Sequence, residues 1–357
     1  VRVTPAGELV GRMPGRARVF AATEGLAASV PVTVTVTLIA VDPSPHAVCG
    51  VSTENHVYCW TDGSNVYAAD RTCRVGVPRM GESPCRPSSA PPMTMVSVGA
   101  VMCGVGVDGG GHCWGSNYRG AMLGIGDTSI VSTSVPLPLD ATQQFQSVSV
   151  GALHSCGLST SGGAYCWGVN EYAYGPRFYT EIFGEDAPSP VPQHEGVRFE
   201  SLDVGGNFVC GVTASGTGRC WGNSRFGVLG CGSPGLDCPG SSNLSTISGL
   251  AFQQISAGRM HACGVTRGGA LYCWGRNHRG QLGAVGSDPC QSRDGPELCA
   301  FLPVRVAPRR GRPPSHLRVE AALQICGARF RCGFAWPKIR APAFDLPRGV
   351  RPEGQRS

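Results

Sequence analysis

Cys156-Gly-Leu-Ser-Thr-Ser-Gly-Gly-Ala-Tyr-Cys166 decides the fold. Two cysteines with nine residues between them centre on Ser161, so a three-residue loop of Thr160, Ser161 and Gly162 places them directly opposite on a β-hairpin. Such loops combine a type I turn with a left-handed third residue, where Gly or Asn costs least. Counted out from the loop, the cysteines fall on a close, non-hydrogen-bonded pair, the spacing a disulfide needs. Four more copies pair Cys49 with Cys59, Cys103 with Cys113, Cys210 with Cys220 and Cys263 with Cys273. Successive first cysteines are 54, 53, 54 and 53 residues apart. The third loop position holds Asn55, Gly109, Gly162, Gly216 and Gly269. A tryptophan follows each second cysteine: Trp60, Trp114, Trp167, Trp221 and Trp274.

A fixed period in this range marks one supersecondary unit copied several times. Upstream of four hairpins lie strand-like runs, 96–98, 147–150, 201–204 and 254–257, ending at Gly99, Gly151, Gly205 and Gly258. Further extended runs carry proline, at 135–139, 191–193 and 303–306. Proline cannot donate to a ladder, so these runs belong at sheet edges. The expected architecture is all-β, a β-propeller of repeated four-stranded blades with five recognisable copies. A zinc reading fits less well, since zinc sites favour cysteines two to four residues apart gathered in fours.

The repeats resemble those of the regulator-of-chromosome-condensation propeller family, best in residues 255–283 with Cys263, Cys273, Trp274, Gly275 and Gly283, and over roughly 38–306 as a whole. The resemblance implies a ring of seven blades in most members, and binding through propeller faces. With five copies here, an open array rather than a closed ring is expected. The run Val3-Thr-Pro-Ala-Gly-Glu-Leu-Val-Gly, then 14–23, then Val30, Val32, Val34 and Val36 alternating with other residues, resembles the end of a group 2 bacterial immunoglobulin-like domain. The expected organisation is therefore 1–37, the C-terminal part of an immunoglobulin-like sandwich; 38–306, the propeller; and 307–357, an Arg/Pro-rich irregular tail. A sandwich part of this size leaves an edge open, so the chain is expected to be a fragment of a longer one.

Charge locates the basic character. The net charge is +6, yet residues from Arg305 onward hold 12 basic and 3 acidic side chains, leaving 18 basic and 21 acidic before them. The propeller is near neutral, and no nucleic-acid partner is expected. There is no run of 18 apolar residues, hence no expected membrane span. The 18 cysteines include Cys73 with Cys85, Cys231 with Cys238 and Cys290 with Cys299, set pairwise in the segments after the hairpins. So many pairs point to an oxidising compartment, extracellular or at a bacterial cell surface.

Motifs that would carry chemistry are scarce. Gly104-Val-Gly-Val-Asp-Gly109 matches a dinucleotide pattern but lies inside a hairpin, the wrong context. His154 and His261 occupy equivalent places in different repeats and read as structural, as do the tryptophans. Asn117, Asn170 and Asn277 read as turn formers. No catalytic, cofactor or metal residue is expected. What varies is the material after each hairpin, roughly 61–92, 171–192, 223–246 and 284–302, which also holds Tyr67 and Phe183. Candidate partner-binding residues there are Tyr172, Tyr174, Phe178, Tyr179, Arg225 and Phe226. The expected function is a non-enzymatic binding scaffold presenting variable loops to a protein or glycan. The alternatives are a structural envelope module without a ligand, and an enzyme on wall polymers using Asp203, Glu181 and Glu185.

Overall fold

The computed structural model describes residues 2–3, 9–10, 15–23, 26–34, 38–43, 47–61, 87, 89–170, 185–232, 241–286, 288–292 and 295–307. Five antiparallel units follow one another. Blade I has strands Leu38–Pro43, Ala47–Ser52 and Val57–Thr61. Blade II has Met93–Val98, Met102–Gly106, Gly111–Ser116 and Ser132–Pro138. Blade III has Phe145–Val150, His154–Ser159, Ala164–Gly168 and Ala187–Gln193. Blade IV has Phe199–Val204, Phe208–Thr213 and Thr217–Gly222. Its fourth strand is the first part of Ser241–Ala257, whose last part is the first strand of blade V. Blade V continues with His261–Thr266, Leu271–Arg276 and Gly295–Arg305. The four strands of each complete blade are called A to D below. Ahead of the blades, Arg2–Val3 pairs with Leu9–Val10, and Gly15–Thr23 pairs with Leu26–Val34.

The hairpin register is the one the loops dictate. In all five repeats the cysteines are direct cross-strand partners. Asn55, Gly109, Gly162, Gly216 and Gly269 have φ of 61°, 85°, 85°, 86° and 79°. The Ser159 amide donates to the Gly163 carbonyl at 2.9 Å, closing the loop on a hydrogen-bonded pair. Alternation then puts Cys156 and Cys166 on a close pair. All five expected disulfides form: Cys49 to Cys59, Cys103 to Cys113, Cys156 to Cys166, Cys210 to Cys220 and Cys263 to Cys273. Their Cα–Cα distances are 4.0 to 4.1 Å.

The proline-bearing strands Ser132–Pro138 and Ala187–Gln193 lie at their sheet edges. In blade V the corresponding strand gains an outer neighbour, Asp288–Ser292, which pairs only as far as Cys299. Pro303 stands beyond that reach. Cys290 and Cys299 are bonded, and Cys231 is also in a disulfide. Cys73, Cys85 and Cys238 lie outside the described residues.

The core lies between blades rather than inside them. Trp114 of blade II joins Cys49, Val51, Val57 and Cys59 of blade I. Trp167 of blade III joins Cys103, Cys113, Leu123 and Leu139 of blade II. Trp221 of blade IV joins Cys156 and Cys166 of blade III, and Trp274 of blade V joins Cys210 and Cys220 of blade IV. Each of these four tryptophans thus plugs the preceding blade, the inter-blade role read from the repeat. At the narrow end, a Cβ on Gly99 would lie 2.6 Å from the Gly151 carbonyl oxygen, one on Gly151 2.4 Å from that of Gly205, and one on Gly205 2.7 Å from that of Gly258. The chain of glycines is there because neighbouring backbones meet at that point.

The last face differs. The residue two after the first cysteine is Val51, Val105, Leu158, Val212 and Val265 in turn. The first four are at most 2% exposed, whereas Val265 is 37% exposed. Leu302, on the same blade, is 55% exposed. Among the described residues, nothing joins blade V to blade I in a common buried cluster.

Candidate functional site

Antiparallel order fixes which loops share an end. The turns joining strands A and B lie at the end where strand C passes into the variable segment, and the Cys-hairpin loops lie at the other. Variable segments therefore emerge beside the A–B turns in every complete blade.

At this end of blades III, IV and V the described residues enclose an open cleft of about 240 Å³. Its walls come from three successive A–B turns, with Leu153, Asn207, Arg259 and Met260, and from the start of the blade IV segment, with Asn223, Arg225, Phe226 and Val228. Arg225, Phe226 and Gly227 form a single 3-10 turn in which Phe226 has φ of 62°. Asn223 holds the turn by accepting from the Arg225 amide at 2.8 Å. Phe226 is 4% exposed and belongs to the core cluster of blades IV and V. It is the floor of the cleft rather than a projecting anchor. The Arg225 guanidinium lies 4.5 Å from its ring centroid and that of Arg276 lies 4.9 Å away. Glu297 receives Arg276 through two bonds, one from Nε at 2.7 Å. Arg276 also reaches the Met260 sulfur at 3.6 Å. Of the other expected contact residues, Tyr172, Tyr174, Phe178 and Tyr179 lie outside the described residues, as do Tyr67, Glu181 and Phe183.

Asp203 is committed to another task. Its carboxylate accepts from Ser149 Oγ of blade III at 2.7 Å, from Ser256 Oγ of blade V at 3.0 Å and from the Ala257 amide at 2.9 Å. The same position clasps other blades: Asp42 accepts from the Val98 amide at 2.8 Å, and Ser97 from the Val150 amide at 3.1 Å. Asp203 is thus a clasp across three blades, and Glu185 is exposed at the start of the described stretch after 184. The two carboxylates offer no paired geometry. Sequence reading missed this belt because the position holds Asp in two blades and Ser in three, which hides the shared role of accepting the next blade's amide.

His154 is buried, and burial pushes its pKa down to about 3, against a smaller opposing effect of a backbone hydrogen bond with Phe208. Its Nε2 has no hydrogen-bond partner. His261 is pushed down to about 4, chiefly by burial and further by His278 nearby. Both are neutral packing groups in separate blades. Asn117 Oδ1 accepts from the Leu123 amide at 3.0 Å, and Asn277 Oδ1 from the Leu282 amide at 3.1 Å, so both pin the loop after strand C. Asn170 instead receives its neighbour's support at the main chain, where its amide donates to Asp186 at 2.8 Å. The 104–109 glycines lie in strand B and its turn, as their hairpin context requires. Among the described residues no three His, Cys, Asp or Glu side chains cluster to hold a metal ion, and no helix is long and apolar enough to cross a membrane.

Comparison with known proteins places the repeat. A family model described as the regulator of chromosome condensation (RCC1) repeat matches residues 145–173 and 252–281, and a second model of that description matches 268–328. The second match runs past the expected propeller boundary at 306. The ultraviolet-B receptor UVR8 of Arabidopsis thaliana is 30% identical over 200 residues, 55% of this chain and 44% of that protein. Yeast RCC1 (Prp20) bound to Kap60 superposes with a TM-score of 0.60 at 18% identity, covering 74% of this chain and 62% of that one. Prp20p from Saccharomyces cerevisiae, in a structure described together with its binding to Gsp1p and histones, gives 0.57 at 16%, covering 74% and 64%. The chain thus spans less than half of UVR8 and under two thirds of these yeast chains. Hairpin, tryptophan plug and blade order agree with these matches: the sequence at 145–173 and 252–328 matches the regulator of chromosome condensation repeat, and the chain shares the β-propeller fold of the yeast structures.

Proposed function

We propose that the chain is a non-enzymatic binding scaffold whose variable segments, together with the A–B turns, engage a protein or glycan outside the cytoplasm. The observation that carries this is the contrast between the repeated strands and the segments that follow strand C. Disulfide, tryptophan and glycine positions repeat from blade to blade, while the segments after strand C change in length, aromatic content and cysteines. Rigid elements hold the loops, and loops so held are where binding tends to reside. The yeast relative bound to Kap60 supports a protein as the partner. The disulfides support an extracellular or surface location, where such bonds persist. Ahead of the blades, the immunoglobulin-like run fits a spacer that displays them.

The test replaces Tyr172, Tyr174, Phe178 and Tyr179 with Ser in the full chain. Capture of a partner from native surface extract should weaken while the melting temperature stays nearly unchanged. Retained capture, with loss following deletion of 307–357 instead, overturns the loop reading in favour of the basic tail.

A further inference from the structure

We propose that two copies of the chain associate head to tail, blade I of one copy packing on the open face of blade V of the other. This contact is separate from partner binding by the variable segments and does not depend on it.

The open face comes first. In blades I to IV the Cys-hairpin face is covered by the blade that follows, through its tryptophan and the leading residue of its strand A. These pairs are Trp114 and Met93, Trp167 and Phe145, Trp221 and Phe199, and Trp274 and Phe252. Blade V carries the same kind of face. The Val306 amide donates to the Leu271 carbonyl as the Leu139 amide donates to that of Gly111, each at 2.9 Å. Yet Leu139 is buried under blade III, whereas Val306 is only partly covered. Cys263, Leu271 and Val304 are also only partly buried around Cys273, Leu282 and Ala300, and Val265 is exposed. Every one of these side chains is apolar.

The complement lies at the other end of the array. Leu38 opens strand A of blade I and pairs with Ser52, the register that Met93, Phe145, Phe199 and Phe252 hold in their own blades. Those four are at most 3% exposed, because each enters the preceding blade. Leu38 is part-exposed, and among the described residues it joins no buried cluster. Trp60 stands in the register of the plugging tryptophans, paired with Val48 as Trp114 is with Met102. Among the described residues, the chain thus holds one socket without a plug and one plug without a socket. Four junctions inside the chain show that such halves fit each other. A tryptophan entering a dry apolar pocket is the kind of anchor that carries association. The two halves differ, so the contact is heterologous and either closes into a ring or propagates.

The junction is weaker than those inside the chain. The amides of Val98, Val150, Val204 and Ala257 each donate to the clasp residue of the preceding blade. At that step blade I has Pro43, which carries no amide hydrogen. The contact between copies therefore lacks the clasp and is reversible, and the dilute chain is a monomer with both halves open.

Sedimentation equilibrium of the full chain without reductant tests this. The mass should rise above the 37.2 kDa of one copy as concentration increases. Hydrogen exchange over Leu38–Pro43 and over 263–273 should slow in step. Leu38→Arg spoils the plug and Val265→Arg the socket. Each variant alone should associate about 100-fold more weakly, since it places an unpaired charge in an apolar contact. An equal mixture of the two restores one intact plug and one intact socket, and should pair with nearly the parental affinity. The exchange measurement uses the parent alone, so it decides even if a variant does not fold. A parent that stays at the mass of one copy overturns the proposal; slow exchange over 263–273 at every concentration would then mean that the chain covers this face itself. Variants that associate as the parent does overturn it too. So does a mixture that pairs no better than its components, which would point to like faces meeting.

Discussion

Replacing Asp203 with alanine should loosen three blades at once. The side chain accepts from two hydroxyls and the Ala257 amide, and from the Val204 amide at 3.2 Å. The Val204 amide keeps Ser149 Oγ at 3.0 Å as a second acceptor. The Ala257 amide belongs to a residue only 1% exposed, so losing its acceptor strands a buried donor. Such a donor costs about 1–3 kcal/mol, and each lost hydroxyl bond about 0.5–1.5 kcal/mol. The sum is roughly 4 kcal/mol for Asp203→Ala. Asp203→Asn should cost about half, since one oxygen remains while the amide nitrogen faces donors. Chemical denaturation of the full chain gives the free energy, and hydrogen exchange at Ala257 gives the location. In a stack of repeats with nearest-neighbour coupling, exchange should rise in blades IV and V before the array unfolds. A change below about 0.5 kcal/mol with unaltered exchange would refute the clasp.

Stability should fall with acid through His154. Its pKa drops from the ordinary value of 6.5 to about 3 on folding, so the folded state refuses a proton that the unfolded state accepts. The contribution is complete above pH 6.5 and declines as pH falls toward 3, by roughly 5 kcal/mol in all. Phenylalanine, which blade IV carries at the equivalent Phe208, should flatten that slope in His154→Phe as measured by midpoint against pH. Replacing both Cys156 and Cys166 with Ser should cost about 3 kcal/mol on the chain-entropy account, and peptide mass mapping without reductant should find the pair oxidised in the parent. Val212→Ala should cost about 2 kcal/mol and Val265→Ala under about 1 kcal/mol, because only the first is fully covered. Equal losses in denaturation would mean that the blade V face is covered after all.

The hairpins were legible because their constraint is local. A three-residue loop that needs positive φ leaves a Gly or Asn at one fixed place, and nine intervening residues then set the cysteine register. The tryptophans were legible as packing for the same reason: a repeated apolar residue at one strand position must repeat its environment. The clasp was not legible, because its partners are a backbone amide and two serine hydroxyls of other blades, 53 or 54 residues away, and nothing in the sequence marks those groups as a set. Phe226 shows the converse failure. An aromatic residue in a variable segment looks like a contact residue, yet a left-handed turn folds it under its own loop into the core. Variation between repeats therefore does not by itself separate surface from support.

That distinction bears on how such a scaffold acquires a binding site. Cores at each blade interface are built from residues that must be alike, since every plugging tryptophan meets the same hairpin of the preceding blade. The A–B turns are less constrained beyond their glycine: Ala152, Gly206 and Arg259 occupy the same step in three neighbouring blades. Placing Arg259 there adds charge to the cleft without touching an inter-blade core. Arg225 is different, because its guanidinium stacks on Phe226, a ring that Arg276, paired with Glu297, also contacts. Glu297→Ala should cost about 1–3 kcal/mol in denaturation, because Arg276 is largely buried and loses this ion-pair partner. Arg259 is exposed, so Arg259→Ala should change stability by under about 0.5 kcal/mol, and the two effects should add if the layers are independent.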